Sequence, residues 1–220
     1  MRTALVTGAS RGIGAAIVEK LSALDCKVLT PSRAELDLAS DRSVESYLAK
    51  LDQPVDILIN DAGINLIAAL ENIQHQDIID TLQINLLAPF RLIQFLAPQM
   101  KMQKYGRIVN ISSVWSVVSK AGRSSYAMSK SALNGMTRSL AVELAPFNIL
   151  VNAVAPGYVM TDLTRQNNTP IEIENIGRSI PIQRLAKPQE IANVAAFLCS
   201  EQNTYLTGQI IVVDGGYTCL

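Results

Sequence analysis

The chain of 220 residues has no excess of charge of either sign: 19 basic and 19 acidic side chains cancel, and neither kind gathers into a run. That argues against a nucleic-acid or anionic-membrane partner held by bulk electrostatics. Cysteine is scarce. Cys26, Cys199 and Cys219 lie far apart without the spacing of metal ligands. They read as reduced thiols of a cytoplasmic protein, and no metal site is expected. Histidine is scarcer still. A Ser-His-Asp hydrolase would have to use His75, between Gln74 and Gln76, and no nucleophile elbow accompanies it. Apolar runs of membrane-spanning length are missing, so no membrane partner is expected. Near the amino terminus Ala4-Leu5-Val6 is too short for a secretory leader, and Gly8 and Arg11 interrupt it. No linker, repeat or low-complexity tract divides the chain, so one domain over residues 1–220 is expected.

Apolar residues, by contrast, make up 49% of the chain, ample for a sheet covered on both faces. Short β-rich runs at 3–7, 27–31, 55–60, 107–113, 149–154 and 208–216 read as buried strands. Helical patterns lie between them. One follows Gly14 through Leu24, and one is capped near Ser40 and runs through Leu51. A long one over 76–102 is interrupted near Pro89 and Pro98. One runs from Ser125 to Pro146, and one starts at Pro188. Residues 158–183 lack clean periodicity and read as a mobile substrate lid. Strands alternating with crossover helices define an α/β fold, a doubly wound parallel sheet with helices on both faces. A parallel crossover needs a dozen or more residues, and the interval from Pro31 to Asp37 has no room for one. About six main strands are therefore expected, with 27–31 as the sheet edge and Pro31 limiting further pairing.

The chemistry gathers at carboxyl ends of strands, where open α/β sheets bind ligands. Residues 107–113 end in Ser112 and Ser113, and a polar loop leads to Tyr126 and Lys130 at the start of a helix. Four apart on a helix, these two share a face. An ammonium so placed is expected to lower the phenol from its ordinary value of about 10 and let it move a proton near neutrality. Alone, the pair equally describes a surface lysine beside a half-buried tyrosine. The first strand runs into Gly8-Ala9-Ser10-Arg11-Gly12-Ile13-Gly14 and then a helix. In that context the glycines allow a tight turn, close approach of a pyrophosphate and close helix packing. Past the second strand stand Ser32 and Arg33, where a 2′-hydroxyl reader would carry an acid. With Arg11 they favour NADP(H), and Glu35 nearby leaves NAD(H) open. The third strand ends in Asn60-Asp61-Ala62-Gly63, and Asn85 sits in an apolar helical stretch, a position more often structural than catalytic.

Taken together, Thr7-Gly8-x-x-x-Gly12-x-Gly14, Asn60-x-Ala62-Gly63, Asn85, Ser113, Tyr126-x-x-x-Lys130 and Pro156-Gly157 with Thr161 resemble the short-chain dehydrogenase/reductase family. The likeness runs from Thr3 to about Tyr217. The carboxyl half is most similar to 3-oxoacyl-(acyl carrier protein) reductases and related carbonyl reductases. The resemblance implies a nicotinamide-dependent oxidoreductase acting on a small carbonyl or secondary alcohol. Tyr126 would be general acid in reduction and base in oxidation, and Lys130 would tune it and bind the nicotinamide ribose. Ser113 would hold the reacting oxygen, and Asn85 a water relay to Lys130. Gly8, Ser10, Arg11, Gly12, Ile13 and Gly14 would meet the phosphates, Ser32 and Arg33 the 2′-phosphate, and Asp37 and Leu38 the adenine. Asn60, Ala62 and Gly63 would flank the cofactor, while Pro156, Gly157, Val159 and Thr161 would position the nicotinamide. Trp115 would line the substrate pocket or pack in the core.

The family's usual form is a tetramer, implying a homotetramer, or a homodimer, built on apolar positions such as Leu92, Ile93, Phe95, Leu96, Leu133, Met136 and Leu140. Two departures stand out. Asp61 replaces the family's asparagine, and the interval after Pro31 lacks the family's usual helix and third strand. A catalytically idle dinucleotide-binding regulator is the alternative of another class, yet it would be expected to lose Ser113, Tyr126 or Lys130. An NAD-dependent dehydrogenase or keto-sugar reductase is also compatible. A sugar epimerase of the longer branch would need a second domain.

Overall fold

A computed structural model describes the backbone of residues 1–220 and every side chain except those of Leu163 and Asn167. Six strands form: β1 (Thr3–Thr7), β2 (Lys27–Leu29), β3 (Ile57–Asn60), β4 (Gly106–Ile111), β5 (Ile149–Pro156) and β6 (Ile210–Val213). They pair in parallel throughout, in the order β2-β1-β3-β4-β5-β6. β4 and β5 are buried at every position, as strands covered on both faces must be.

Alternate side chains of the strands divide between two cores, the period of two that a pleated strand imposes. On one face Leu5, Leu58, Ile108 and Val151 pack with residues of α2 (Asp41–Ala49), α4 (Ala88–Gln103) and α5 (Ser124–Leu144), among them Val44, Leu48, Leu92, Leu96 and Leu144. On the other, Val6, Ile59, Val109 and Val154 meet Ile17 and Leu21 of α1 (Gly12–Ser22) and Ile191, Ala195 and Leu198 of α8 (Pro188–Cys199). The chain leaves β1 for β2 on one side and returns to β3 on the other. That reversal opens a crevice at the carboxyl ends of β1 and β3, the edge where the motifs gather.

The shortened crossover is real. Residues 30–40 run as turns from β2 to α2, with no helix or strand between them, and the sheet has six strands. β2 ends at Leu29, earlier than expected, so Pro31 stands beyond the strand. The long helix of 76–102 is three pieces: α3 (His75–Leu82), a π turn (Gln83–Leu87) and α4. Pro89 has no N–H with which to close the usual bond to the Asn85 carbonyl. The helix widens there instead, with the Ala88 N–H bonded to Gln83 O. Pro98 lies inside α4 without ending it. Residues 158–183 contain two short helices, α6 (Asp162–Asn167) and α7 (Pro170–Arg178). Helices of six and nine residues have too few turns to show a period, although the Thr169–Glu172 capping box and Pro170 mark the second. No helix among the described residues is long and apolar enough to cross a membrane.

Of the apolar positions expected to face another subunit, Leu92, Ile93, Leu96 and Leu133 are at most 2% exposed and belong to the protomer's own interior. Met136 and Leu140 pack against it. Phe95 is exposed, and so are Leu87, Phe90, Met128 and Val142 on the same two helices and the π turn between α3 and α4.

Candidate active site

β1 delivers the chain into a turn that only small residues can make. Gly8 has φ 73°, and a Cβ there would approach the Ala62 nitrogen to 2.7 Å. A Cβ at Gly14 would collide with the Gly8 carbonyl oxygen and the Asp61 carboxylate. The turn therefore lies directly on the end of β3, and Thr7 Oγ1 fastens the two by accepting the N–H groups of Asp61 and Ala62, both at 3.2 Å. α1 then starts without a side-chain cap and without an acid in its first turn. Its free N–H groups and positive dipole end suit a diphosphate. A cleft of about 430 Å³ runs from this turn across the sheet edge. Gly8, Ser10, Arg11, Gly12, Ile13, Ala62, Gly63, Ser113, Tyr126, Lys130, Pro156, Gly157, Val159 and Thr161 all line it. These residues fit a nicotinamide dinucleotide.

α5 carries Tyr126 and Lys130 on one face, as their spacing requires. Lys130 is 4% exposed and donates from Nζ to the Ile111 carbonyl at 2.7 Å, while its ammonium stands 5.7 Å from the centroid of the Tyr126 ring. Gly63 leaves it space, since a Cβ there would sit 3.5 Å from Lys130 Nζ. Burial lowers the lysine to about 8, and the Asp61 carboxylate opposes that shift. The expected lowering of the tyrosine is not what the cleft produces. Burial pushes the phenol up to about 12, opposed by its hydrogen bond to Ser113 and by the charge of Arg123, and Asp61 raises it further. Desolvation of a phenolate outweighs an ammonium held on a carbonyl of β4. Ser113, two residues past β4, accepts the Trp115 N–H at 3.2 Å, which anchors its Oγ at the sheet edge, in the same cleft as Tyr126.

Asn85 sits in the π turn, 1% exposed. Its Nδ2 donates to Ile64 O at 2.9 Å and Ser129 Oγ at 3.0 Å, and its Oδ1 accepts Ile64 N–H at 2.9 Å. The side chain thus ties the loop after β3 to the turn of α5 that carries Lys130, but it makes no hydrogen bond to Lys130. Asn60 is a tie as well. Its Nδ2 donates to Asn110 Oδ1 at 2.8 Å, and Asn110 passes the link to Thr137 of α5 at 2.9 Å. Asp61, the departure from the family pattern, faces the cleft beneath the glycine turn. Burial raises its carboxyl to about 7, while Lys130 and the Gly14 N–H hold it down.

The residues expected at the adenosine end stand apart from this cleft. The Ser32 N–H and hydroxyl both donate to Glu35 Oε2 at 2.8 Å. Arg33 Nε lies 3.6 Å from Asp37 Oδ1, which also accepts the Ala39 N–H. Leu38 is 7% exposed and belongs to the core. With no crossover helix to spread them, these side chains satisfy one another within one short turn.

Sequence reasoning missed part of the cleft wall. Lys120, Arg123, Asn65 and Tyr158 line it with Trp115, and Tyr217 packs edge-on to both Trp115 and Tyr158. Arg123 was open to detection: it is three positions before Tyr126 and forms the amino-terminal boundary of α5.

A glycine turn at the switch point of a parallel sheet, sharing one cleft with a buried lysine and a tyrosine, defines a Rossmann-type oxidoreductase. Comparison with known proteins agrees. The family model described as enoyl-(acyl carrier protein) reductase matches residues 30–218. The 3-oxoacyl-[acyl-carrier-protein] reductase FabG of Aquifex aeolicus is 37% identical, covering 98% of this chain and 96% of the relative. That of Escherichia coli is 38% identical over the same shares. A candidate NAD(P)-dependent gluconate 5-dehydrogenase of Beutenbergia cavernae, solved with NADP at low occupancy, superposes with a TM-score of 0.95 at 33% identity, covering 100% of this chain and 97% of that one. The chain belongs to the short-chain dehydrogenase/reductase family and is an oxidoreductase of the class acting on CH–OH and C=O groups.

Proposed function

We propose that the chain reduces the carbonyl of a small organic molecule with NADPH, or oxidises the matching secondary alcohol, with Tyr126 moving the proton. The observation that carries this reading is the meeting of Ser113 and Tyr126 in one cleft with the glycine turn. A bound nicotinamide supplies or takes the hydride. Everything else belongs to the chain. The N–H groups of α1 hold the diphosphate, and Pro156, Gly157, Val159 and Thr161 border the nicotinamide end. Ser113 donates to the reacting oxygen. Tyr126 gives that oxygen its proton in reduction, and a phenol at about 12 is in the protonated form the step needs. Lys130, charged below about 8, lies behind it and favours the phenolate that results. Asn85 positions the loop and α5 around Lys130 and supports the relay that returns the proton. α6 and α7 form the lid over residues 158–183.

NADP(H) is the cofactor this reading favours. Arg11 on the glycine turn and Arg33 past β2 are both exposed. The competing pair of Arg33 with Asp37 is a surface pair at 3.6 Å, with the arginine side chain 83% exposed. Such pairs are worth at most ~1 kcal/mol, against roughly 1.5–3 kcal/mol for a charge-assisted bond to phosphate. A 2′-phosphate therefore wins Arg33 from Asp37. The NADP in the Beutenbergia relative supports the same choice.

The relatives named for 3-oxoacyl thioesters make these the first substrates to try. The family description names an enoyl bond instead, and the Ser113–Tyr126 pair favours a carbonyl, because two hydroxyls in one cleft suit a single reacting oxygen. Exposed Phe90, Phe95, Met128 and Val142 support a homotetramer, or a homodimer, built on α4 and α5. Three unpaired cysteines support a cytoplasmic location. The test is NADPH and NADH oxidation with 3-oxoacyl and enoyl thioesters, ketones, quinones and keto-sugars. Turnover of a carbonyl panel member with NADPH is expected. Reduction of enoyl thioesters alone would overturn the reading.

A further inference from the structure

The reacting end of the cleft holds more positive charge than carbonyl reduction uses. Lys130 accounts for one cation. Lys120 and Arg123 add two more, both in the cleft wall, and neither has an ion-pair partner among the described residues. The nearby acids are committed elsewhere. Asp162 pairs with Arg165 at 3.3 Å, and Glu172, which feels the charge of Lys120 without pairing with it, accepts the Thr169 N–H at 2.7 Å and hydroxyl at 2.9 Å. Asp61, under the glycine turn, faces Lys130 and offsets that one ammonium. With Asp61 set against Lys130, the charges of Arg123 and Lys120 have no ion-paired anion in the cleft among the described residues.

The two cations belong to the substrate side, not to the phosphate end. Arg123 stands at the boundary of α5, three residues before Tyr126, and its charge registers on the Tyr126 phenol. Lys120 registers on Tyr217, across the aromatic wall. α5 itself starts without an acid or a side-chain cap in its first turn, which adds its dipole to the same place. Asn65 Oδ1, buried in the same wall, has no donor among the described residues, so a hydroxyl or amide N–H of the ligand, not its anionic group, is expected there. Opposite stands an aromatic wall, Trp115 edge-on to Tyr158 at 5.9 Å and to Tyr217 at 6.2 Å.

We propose that Arg123 and Lys120 form an anion subsite beside Tyr126, so that the preferred substrate is a carbonyl compound carrying a carboxylate or phosphate near its reacting carbon. Arginine offers that group two parallel donors, and lysine a point charge. The inference rests on the carbonyl-reductase reading above, and its test separates the two.

Wild-type protein, Arg123→Gln, Arg123→Lys and Lys120→Gln are assayed with NADPH on matched pairs. 3-Oxobutanoate is set against its ethyl ester, and dihydroxyacetone phosphate against dihydroxyacetone. Wild type is expected to show the higher kcat/KM on the charged member. The first pair reports a carboxylate, the second a phosphate. The charged-to-neutral ratio is expected to fall roughly 10–150-fold in Arg123→Gln, the span of one charge-assisted bond, and less in Lys120→Gln. Any effect of Arg123 on Tyr126 itself cancels in that ratio. Arg123→Lys should recover part of it, which a merely structural arginine would not allow. Binding is read separately from turnover through the fluorescence of Trp115, the chain's single tryptophan, with the same four compounds. Tighter binding of the charged members without any reduction keeps the subsite and refutes the reductase reading. Equal affinity for charged and neutral members, or ratios unchanged in both glutamine variants, overturns the subsite.

Discussion

Asp61→Asn tests the electrostatics of the cleft more sharply than any change at its surface. The carboxyl sits between the Gly8 and Gly14 backbones and faces Lys130, and burial holds it at about 7 rather than the ordinary 3.8. At about 1.4 kcal/mol for each tenfold change in proton affinity, ionised Asp61 disfavours the fold by roughly 4 kcal/mol. The sign follows from proton counting. Between pH 4 and 7 the folded chain keeps a proton that the unfolded chain has lost, so wild-type stability falls as pH rises through that window and then levels. Lys130 acts in the opposite sense at higher pH. Its folded value is lowered to about 8, so stability recovers between about 8 and the ordinary 10.5. Asparagine removes the first effect but also removes the partner that raises Lys130, which returns part of the gain. Near pH 4, where Asp61 is protonated in the folded chain and substantially so in the unfolded one, variant and wild type should melt nearly together. At pH 8 the variant should be more stable by roughly 1–3 kcal/mol, several degrees in Tm for a chain of this size. NADPH affinity should fall with rising pH through 7 in wild type and stay flat in the variant, because the carboxylate lies under the phosphate turn. Melting curves from pH 4 to 9 and NADPH fluorescence titrations from pH 5 to 9 measure both. A pH-independent offset in Tm, or a variant less stable at pH 8 than at pH 5 relative to wild type, would refute the reasoning.

Arg33→Ala should raise the KM for NADPH roughly 10–150-fold more than that for NADH, while Asp37→Asn, by freeing Arg33, should tighten NADPH a few-fold; initial-rate kinetics with both cofactors decide it. Gly14→Ala places a methyl against the Gly8 carbonyl and should destabilise by about 1–3 kcal/mol, with loss of NADPH binding, read by thermal melting and fluorescence. Phe95→Asp with Val142→Asp, at positions 48% and 80% exposed, should split the assembly without unfolding the protomer, and a larger mass persisting by light scattering would rule out the α4–α5 interface.

What was legible in the sequence was short-range. The glycine turn, Ser113 and the Tyr126–Lys130 pair each lie within one strand–loop–helix unit, so spacing alone placed them in the cleft. The missing third strand was legible too, because the length between Pro31 and Asp37 bounds what the chain can build. What depends on neighbours remote in sequence was not legible. The phenol of Tyr126 is raised rather than lowered because the sheet edge buries it. Ser32 and Arg33 turn to Glu35 and Asp37 because the shortened loop brings those acids within reach. Asn85 lies in a π turn that its own pattern does not announce. Leu92, Ile93 and Leu96 read as surplus apolar surface until the packing of α4 against the sheet accounts for them.

The most direct test of the central claim is the comparison of wild type with Tyr126→Phe in two assays on the same preparations. The phenol moves the proton, whereas the glycine turn and α1 hold the phosphates. The variant should therefore bind NADPH with nearly unchanged affinity and lose roughly 10²–10⁴-fold in carbonyl reduction. Near-wild-type turnover by Tyr126→Phe on any substrate the wild type reduces would contradict the account.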